Sequence, residues 1–102
     1  MRRYRDHLME ELKDPIFAAE YLNTVMTEED PKMFWIALKN VAEARGGMAK
    51  LARNAKLNRG NLYRIFTKHR NPEVQTLTQI LNSLGLRLNV VPDKHHPMKH
   101  AA

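Results

Sequence analysis

The stretch from Gly46 to Phe66, GGMAKLARNAKLNRGNLYRIF, constrains this chain more than any other. Apolar residues recur at helical spacing on both sides of a short polar interruption, which predicts two short helices joined by a tight turn. The first runs roughly from Met48 to Asn54, with Met48, Leu51 and Ala52 on one face. The turn falls at Ala55-Lys56-Leu57. Asn58 is placed to act as N-cap, its side-chain oxygen accepting an otherwise orphan amide of a second helix that starts at Arg59. In that helix Leu62, Ile65 and Phe66 recur inward and leave Arg59, Gly60, Asn61, Tyr63 and Arg64 pointing out. Ala49 and Ala52 are small, as two helices crossing closely at a tight turn require.

That layout is the one a DNA-binding helix-turn-helix uses. Its second helix enters the major groove and its N-terminal side chains meet base edges. Arginine bonds bidentately to guanine and asparagine to adenine, so Arg59, Gly60, Asn61, Tyr63 and Arg64 are the candidate base-reading set. Lys50, Arg53, Asn58, Lys68 and Arg70 are the candidate phosphate contacts. Seven basic residues lie between Lys50 and Arg70 with no Asp or Glu among them. The alternative is an ordinary helical hairpin with a solvated basic face.

Charge distribution favours the first reading. The net charge is +6, but residues 1–46 carry 7 Lys and Arg against 9 Asp and Glu, whereas residues 47–102 carry 10 against 2. A basic half suits phosphate, where neutralising backbone charge releases counterions. At 102 residues the chain has room for one modest core, and it is 43% hydrophobic. It lacks an apolar run near the ~20 residues that span a bilayer, and its N-terminus, MRRYRDHLMEELKD, lacks the apolar centre of a signal peptide. There is no cysteine, hence no disulfide framework and no thiol nucleophile. A cytoplasmic location is expected.

Residues 3–13 predict a short amphipathic helix with Tyr4, Leu8 and Leu12 inward at spacing four. Asp14-Pro15 then signals a start, Asp as N-cap and Pro at the first helical position. A helix follows to about Met26, apolar over much of its circumference, so two of its sides call for cover. Asp30-Pro31 repeats the signal for a helix to about Arg45, which Gly46-Gly47 ends. Its Trp35 is expected in the core rather than as an exposed anchor.

Thr67 to Asn71 reads as a basic polar loop. The next helix opens at Pro72 or Glu73 and runs to about Ser83, with Val74, Leu77, Ile80, Leu81 and Leu84 as its buried stripe and Gly85 beyond its end. Leu86, Leu88 and Val90 alternate with Arg87 and Asn89, which is strand-like. A lone strand must pair. The economical partner is the same strand of a second copy across a two-fold axis, and strand addition to an incoming protein is the other option. The last ten residues, DKHHPMKHAA, read as a tail. Their His95, His96 and His100 lack the flanking ligands of a structural metal site.

With these pieces laid out, the sequence resembles the probable addiction-module antidote proteins, antitoxins of HigA type with a lambda-repressor-like helix-turn-helix. The matching pieces are YLN at Tyr21–Asn23, EEDPKMFWIALKNVAEARGGM, LAR at Leu51–Arg53, LNRGNLYRIF, NPEVQTL and LGLRLNVVP, together covering about residues 15–92. The family commonly has Ser or Thr where Asn58 stands, and a glutamate where Gly60 stands. Asn preserves the capping chemistry, while Gly weakens a helix by roughly 1 kcal/mol relative to Ala. The resemblance implies a homodimer that binds a palindromic operator at its own promoter. It also implies a small RelE/ParE-superfamily toxin, made from the neighbouring gene, as partner.

The expected fold is therefore all-α, a lambda-repressor-like bundle of five to six helices with a short C-terminal β-strand. Residues 1–30 would be an N-terminal helical extension, 31–92 the helix-turn-helix domain with its strand, and 93–102 a flexible tail. The competing functions are a module that neutralises a partner without reading DNA, and a stand-alone prophage-type regulator. Toxin contact is expected on residues 1–30. An enzyme is not expected. His7 and His69 are far apart, and there is no Ser-His-Asp spacing, phosphate loop or metal pattern, so no cofactor is expected either.

Overall fold

A computed structural model of the chain describes residues 2–27, 30–68 and 71–94. Six α-helices follow one another: α1 (Arg2–Glu11), α2 (Pro15–Met26), α3 (Pro31–Ala44), α4 (Gly47–Ala55), α5 (Arg59–Lys68) and α6 (Val74–Ser83). No strand occurs among the described residues.

Local chemistry sets most of the boundaries. Asp14 and Asp30 both sit in extended backbone before a proline at the first helical position, and each carboxylate accepts an amide two residues on. Ile16 N–H reaches Asp14 Oδ1 at 3.0 Å, and Lys32 N–H reaches Asp30 Oδ1 at 2.9 Å. These are orphan donors of the first turn, which no backbone carbonyl can serve. At the other end of α3, Gly46 and Gly47 take φ of +113° and +91°. Two successive left-handed residues reverse the chain so sharply that α4 begins at Gly47 itself.

The helix α3 is the hub. It packs against α1, α2, α4 and α5, while α6 closes on α4. Leu12, Leu38, Val41, Leu62 and Ile80 are fully buried. Trp35 is buried as expected and meets Phe66 of α5 edge to face, ring centroids 5.7 Å apart at 79°, and its neighbour Phe34 at 5.5 Å and 76°. Polar ties cross the same seam. Asn40 of α3 donates to the Tyr21 hydroxyl of α2 at 3.0 Å, and Arg5 of α1 donates to Glu43 Oε2 at 2.7 Å.

Several expectations are corrected. Tyr4 is 73% exposed rather than inward; only Leu8 and Leu12 of that trio pack on the core. Val74 is 72% exposed, because Glu73 is the N-cap and the first helical residue projects past the bundle before the Leu77, Ile80, Leu81 and Leu84 stripe begins. Thr67 and Lys68 belong to the last turn of α5 rather than to a loop. Among the small residues of α4, Ala52 and Ala55 are buried at the crossing, while Ala49 is exposed. The expected strand at Leu86, Leu88 and Val90 is also absent: a ladder needs a second backbone, and among the described residues no other segment lies alongside to provide one. Arg70, His69, His95, His96 and His100 lie outside the described residues.

Candidate nucleic-acid interface

The helix α4 stops because Lys56 adopts φ 58° and ψ 43°. Its N–H bonds the Arg53 carbonyl at 3.3 Å and the Leu57 N–H bonds the Ala52 carbonyl at 3.0 Å. That pair of bonds is the Schellman arrangement, in which a left-handed residue lets two late amides serve two orphan carbonyls. The helix α6 ends the same way, with Gly85 at φ 79° bonding Asn82 and Leu86 bonding Leu81. Glycine holds that position in α6 at no steric cost; in α4 a lysine holds it.

Two residues after Lys56, Asn58 starts α5. Its Oδ1 accepts the Asn61 amide at 3.0 Å and its carbonyl accepts the Leu62 amide at 2.9 Å. Gly60 fits this cap, since a Cβ there would stand 3.2 Å from Asn58 Oδ1, closer than side chains ordinarily approach. The turn is therefore three residues, Lys56-Leu57-Asn58, one residue later than the expected Ala55-Lys56-Leu57 because Ala55 is still the last residue of α4, with Leu57 half-buried against the core.

Leu62, Ile65 and Phe66 face inward, buried on α3 and α4. The remaining face of α5 is consequently turned out, and Arg59, Gly60, Asn61, Tyr63 and Arg64 are all exposed. Arg59 and Tyr63, like Gly60 and Arg64, are stacked one turn apart. On α4 the exposed residues include Lys50 and Arg53, and Asn58 and Lys68 are exposed at the two ends of α5. Among the described residues none of these cations is ion-paired; the ion pairs are Arg5–Glu43, His7–Glu11 and Lys13–Glu10, all involving α1 or its end. Lys56 belongs with the exposed cations, set between the two helices by its left-handed backbone. Its charge is plain in the sequence, whereas its place at the apex of the turn follows from the hydrogen bonds. Of the candidate dimer residues, Leu86 is half-buried, and Leu88 and Val90 are exposed.

No group of His, Asp and Glu able to hold a metal occurs among the described residues. No described helix is long and apolar enough to cross a membrane.

Comparison with known sequences decides the family. The model of the probable addiction module antidote protein family matches residues 5–92, which include all of α2 to α6 and the segment after them. The chain belongs to that family. A relative of this antidote-family chain is an uncharacterized protein of Haemophilus influenzae, 31% identical over 70 residues, a stretch covering 69% of this chain and 71% of that one. No solved structure matches this chain. Membership among antidotes implies, in general, a toxin to be countered.

Proposed function

We propose that this antidote-family chain binds operator DNA through α4, the turn and α5, represses its own operon, and neutralises a RelE/ParE-superfamily toxin in the cytoplasm. The observation that supports it is the outward face of α5. Arg59, Asn61, Tyr63 and Arg64 stand clear of the core on a helix whose other face is clamped by Leu62, Ile65 and Phe66. A rigid rod presenting Arg and Asn at its N-terminal end matches what major-groove reading requires. Lys50, Arg53, Lys68 and Arg70 would hold phosphates, and the Asn58 amide nitrogen is available for the same task while its oxygen caps the helix. Residues 31–92 would form a lambda-repressor-like reading domain, with 1–30 as an extension toward the toxin and 93–102 as a tail. Two copies would bind a palindromic operator with half-sites about one helical turn apart, joined through Leu86, Leu88 and Val90.

The test is fluorescence anisotropy with the DNA upstream of the gene against a scrambled duplex. Arg64→Ala is expected to cost about 1–3 kcal/mol on the operator only, as lost base reading should. Lys68→Ala is expected to weaken both duplexes and flatten the salt dependence. Equal losses from Arg64→Ala on both duplexes would remove it from the base-reading set. No binding at moderate salt would favour a module that neutralises its partner without reading DNA.

A further inference from the structure

Away from the helix-turn-helix lies an open apolar groove of about 980 Å³. It runs between α2, the start of α3, the end of α6 and the chain that follows, and no lining residue comes from α4 or α5. Its walls include Ile16, Met26, Phe34, Leu77, Leu88 and Val91. Ile16 and Met26, on the second apolar side of α2, are 72% and 59% exposed.

One wall of the groove is backbone without intramolecular hydrogen bonds. After the Leu86 amide bonds Leu81, residues 87–91 make no backbone hydrogen bond among the described residues. An apolar segment with a free edge is a template for pairing. The six residues 86–91, extended, reach about 20 Å, and the 12 residues of α2 rise about 18 Å. A second strand laid along the free edge would therefore run the length of α2.

We propose that the groove is the seat of a second copy of this chain. Residues 86–91 of that copy pair antiparallel with residues 86–91 of this one and lay their apolar side chains on Ile16 and Met26. Self-pairing is favoured because one chain carries both halves of the contact, edge and groove, so a two-fold axis closes both grooves at once. This rests on the dimer reading above and extends it, making α2 part of the dimer contact.

The experiment uses the full chain. Sedimentation equilibrium is expected to show two copies. Ile16→Glu and Met26→Glu should each raise the dissociation constant about a hundredfold, because each buries a charge on apolar surface. Their helical circular dichroism should stay unchanged, since both sites are exposed within one copy, and melting should fall only by the lost mass action of dimerisation. The sequence contains no cysteine, so mixing Ile16→Cys chains with Leu88→Cys chains under mild oxidation should give a cross-linked heterodimer. A native chain that sediments as one copy would overturn both the dimer and the groove assignment. A two-copy chain that ignores Ile16→Glu and Met26→Glu and gives no mixed cross-link would overturn the groove assignment alone.

Discussion

Asn58 and Asn61 are joined by a 3.0 Å hydrogen bond from the Asn61 amide to the Asn58 side-chain oxygen. The bond fixes the start of α5 and, with it, the exposed positions Arg59, Gly60, Asn61, Tyr63 and Arg64. Asn58→Ala is expected to lower the unfolding free energy by about 1 kcal/mol, and Asn58→Ser to change it by only a few tenths, since Ser caps as well as Asn. Urea denaturation checks both. Equal losses would mean the cap contributes nothing.

Lys56 and Gly85 hold the same left-handed position at the ends of α4 and α6, so substitutions there should have opposite signs. Lys56→Gly is expected to stabilise the fold by about 1 kcal/mol, the cost of a side chain in that conformation. Gly85→Ala should destabilise by a similar amount. The urea midpoints of the two variants, compared with the parent, decide this.

Trp35 and Phe66 connect the hub helix to α5. Each truncation to Ala is expected to cost about 3–5 kcal/mol through the cavity it leaves. The double variant should cost less than the sum, because the two rings share one contact. A double-mutant cycle by thermal or urea unfolding measures the coupling. Strict additivity would show that the edge-to-face pair does not join the two helices energetically.

The Arg5–Glu43 pair is short but largely solvated, with side chains 52% and 37% exposed. Glu43→Gln should therefore change stability by less than about 1 kcal/mol. Leu12, fully buried just beyond α1, should matter more, Leu12→Ala costing about 2–5 kcal/mol. The contrast tests whether burial or charge anchors the N-terminal helix, and denaturant titration of the two variants reads it directly.

On the proposed DNA-binding reading, the exposed cations of α4 would bear on DNA affinity rather than stability. Replacing Lys50 and Arg53 together by Ala should reduce the slope of log affinity against log salt by about 2, one for each phosphate left unneutralised. Binding isotherms at several salt concentrations give the slope. An unchanged slope would take α4 off the phosphate backbone.

Much of this arrangement could be read from neighbouring residues. The Asp-Pro pairs at 14–15 and 30–31 set the first residues of α2 and α3, because capping acts within one turn. Asn58 was legible for the same reason, as was the inward set of Leu62, Ile65 and Phe66, fixed by helical period alone. The errors about burial share a different cause. Tyr4, Ala49 and Val74 all sit at positions where helical spacing permits burial, yet nothing packs over them. Periodicity says which residues share a face, and only a neighbouring element says whether that face is covered.

The amino-acid sequence alone determined an all-helical chain, a cationic turn placed to within one residue, and an outward row of Arg, Asn and Tyr on α5, since caps, turns and periods are short-range physics. Only the tertiary structure decided that Trp35 and Phe66 lock α5 to the hub. It alone left residues 86–91 without a ladder beside an apolar groove on α2. Both outcomes depend on contacts between segments distant in the chain, where packing, rather than local preference, selects the conformation.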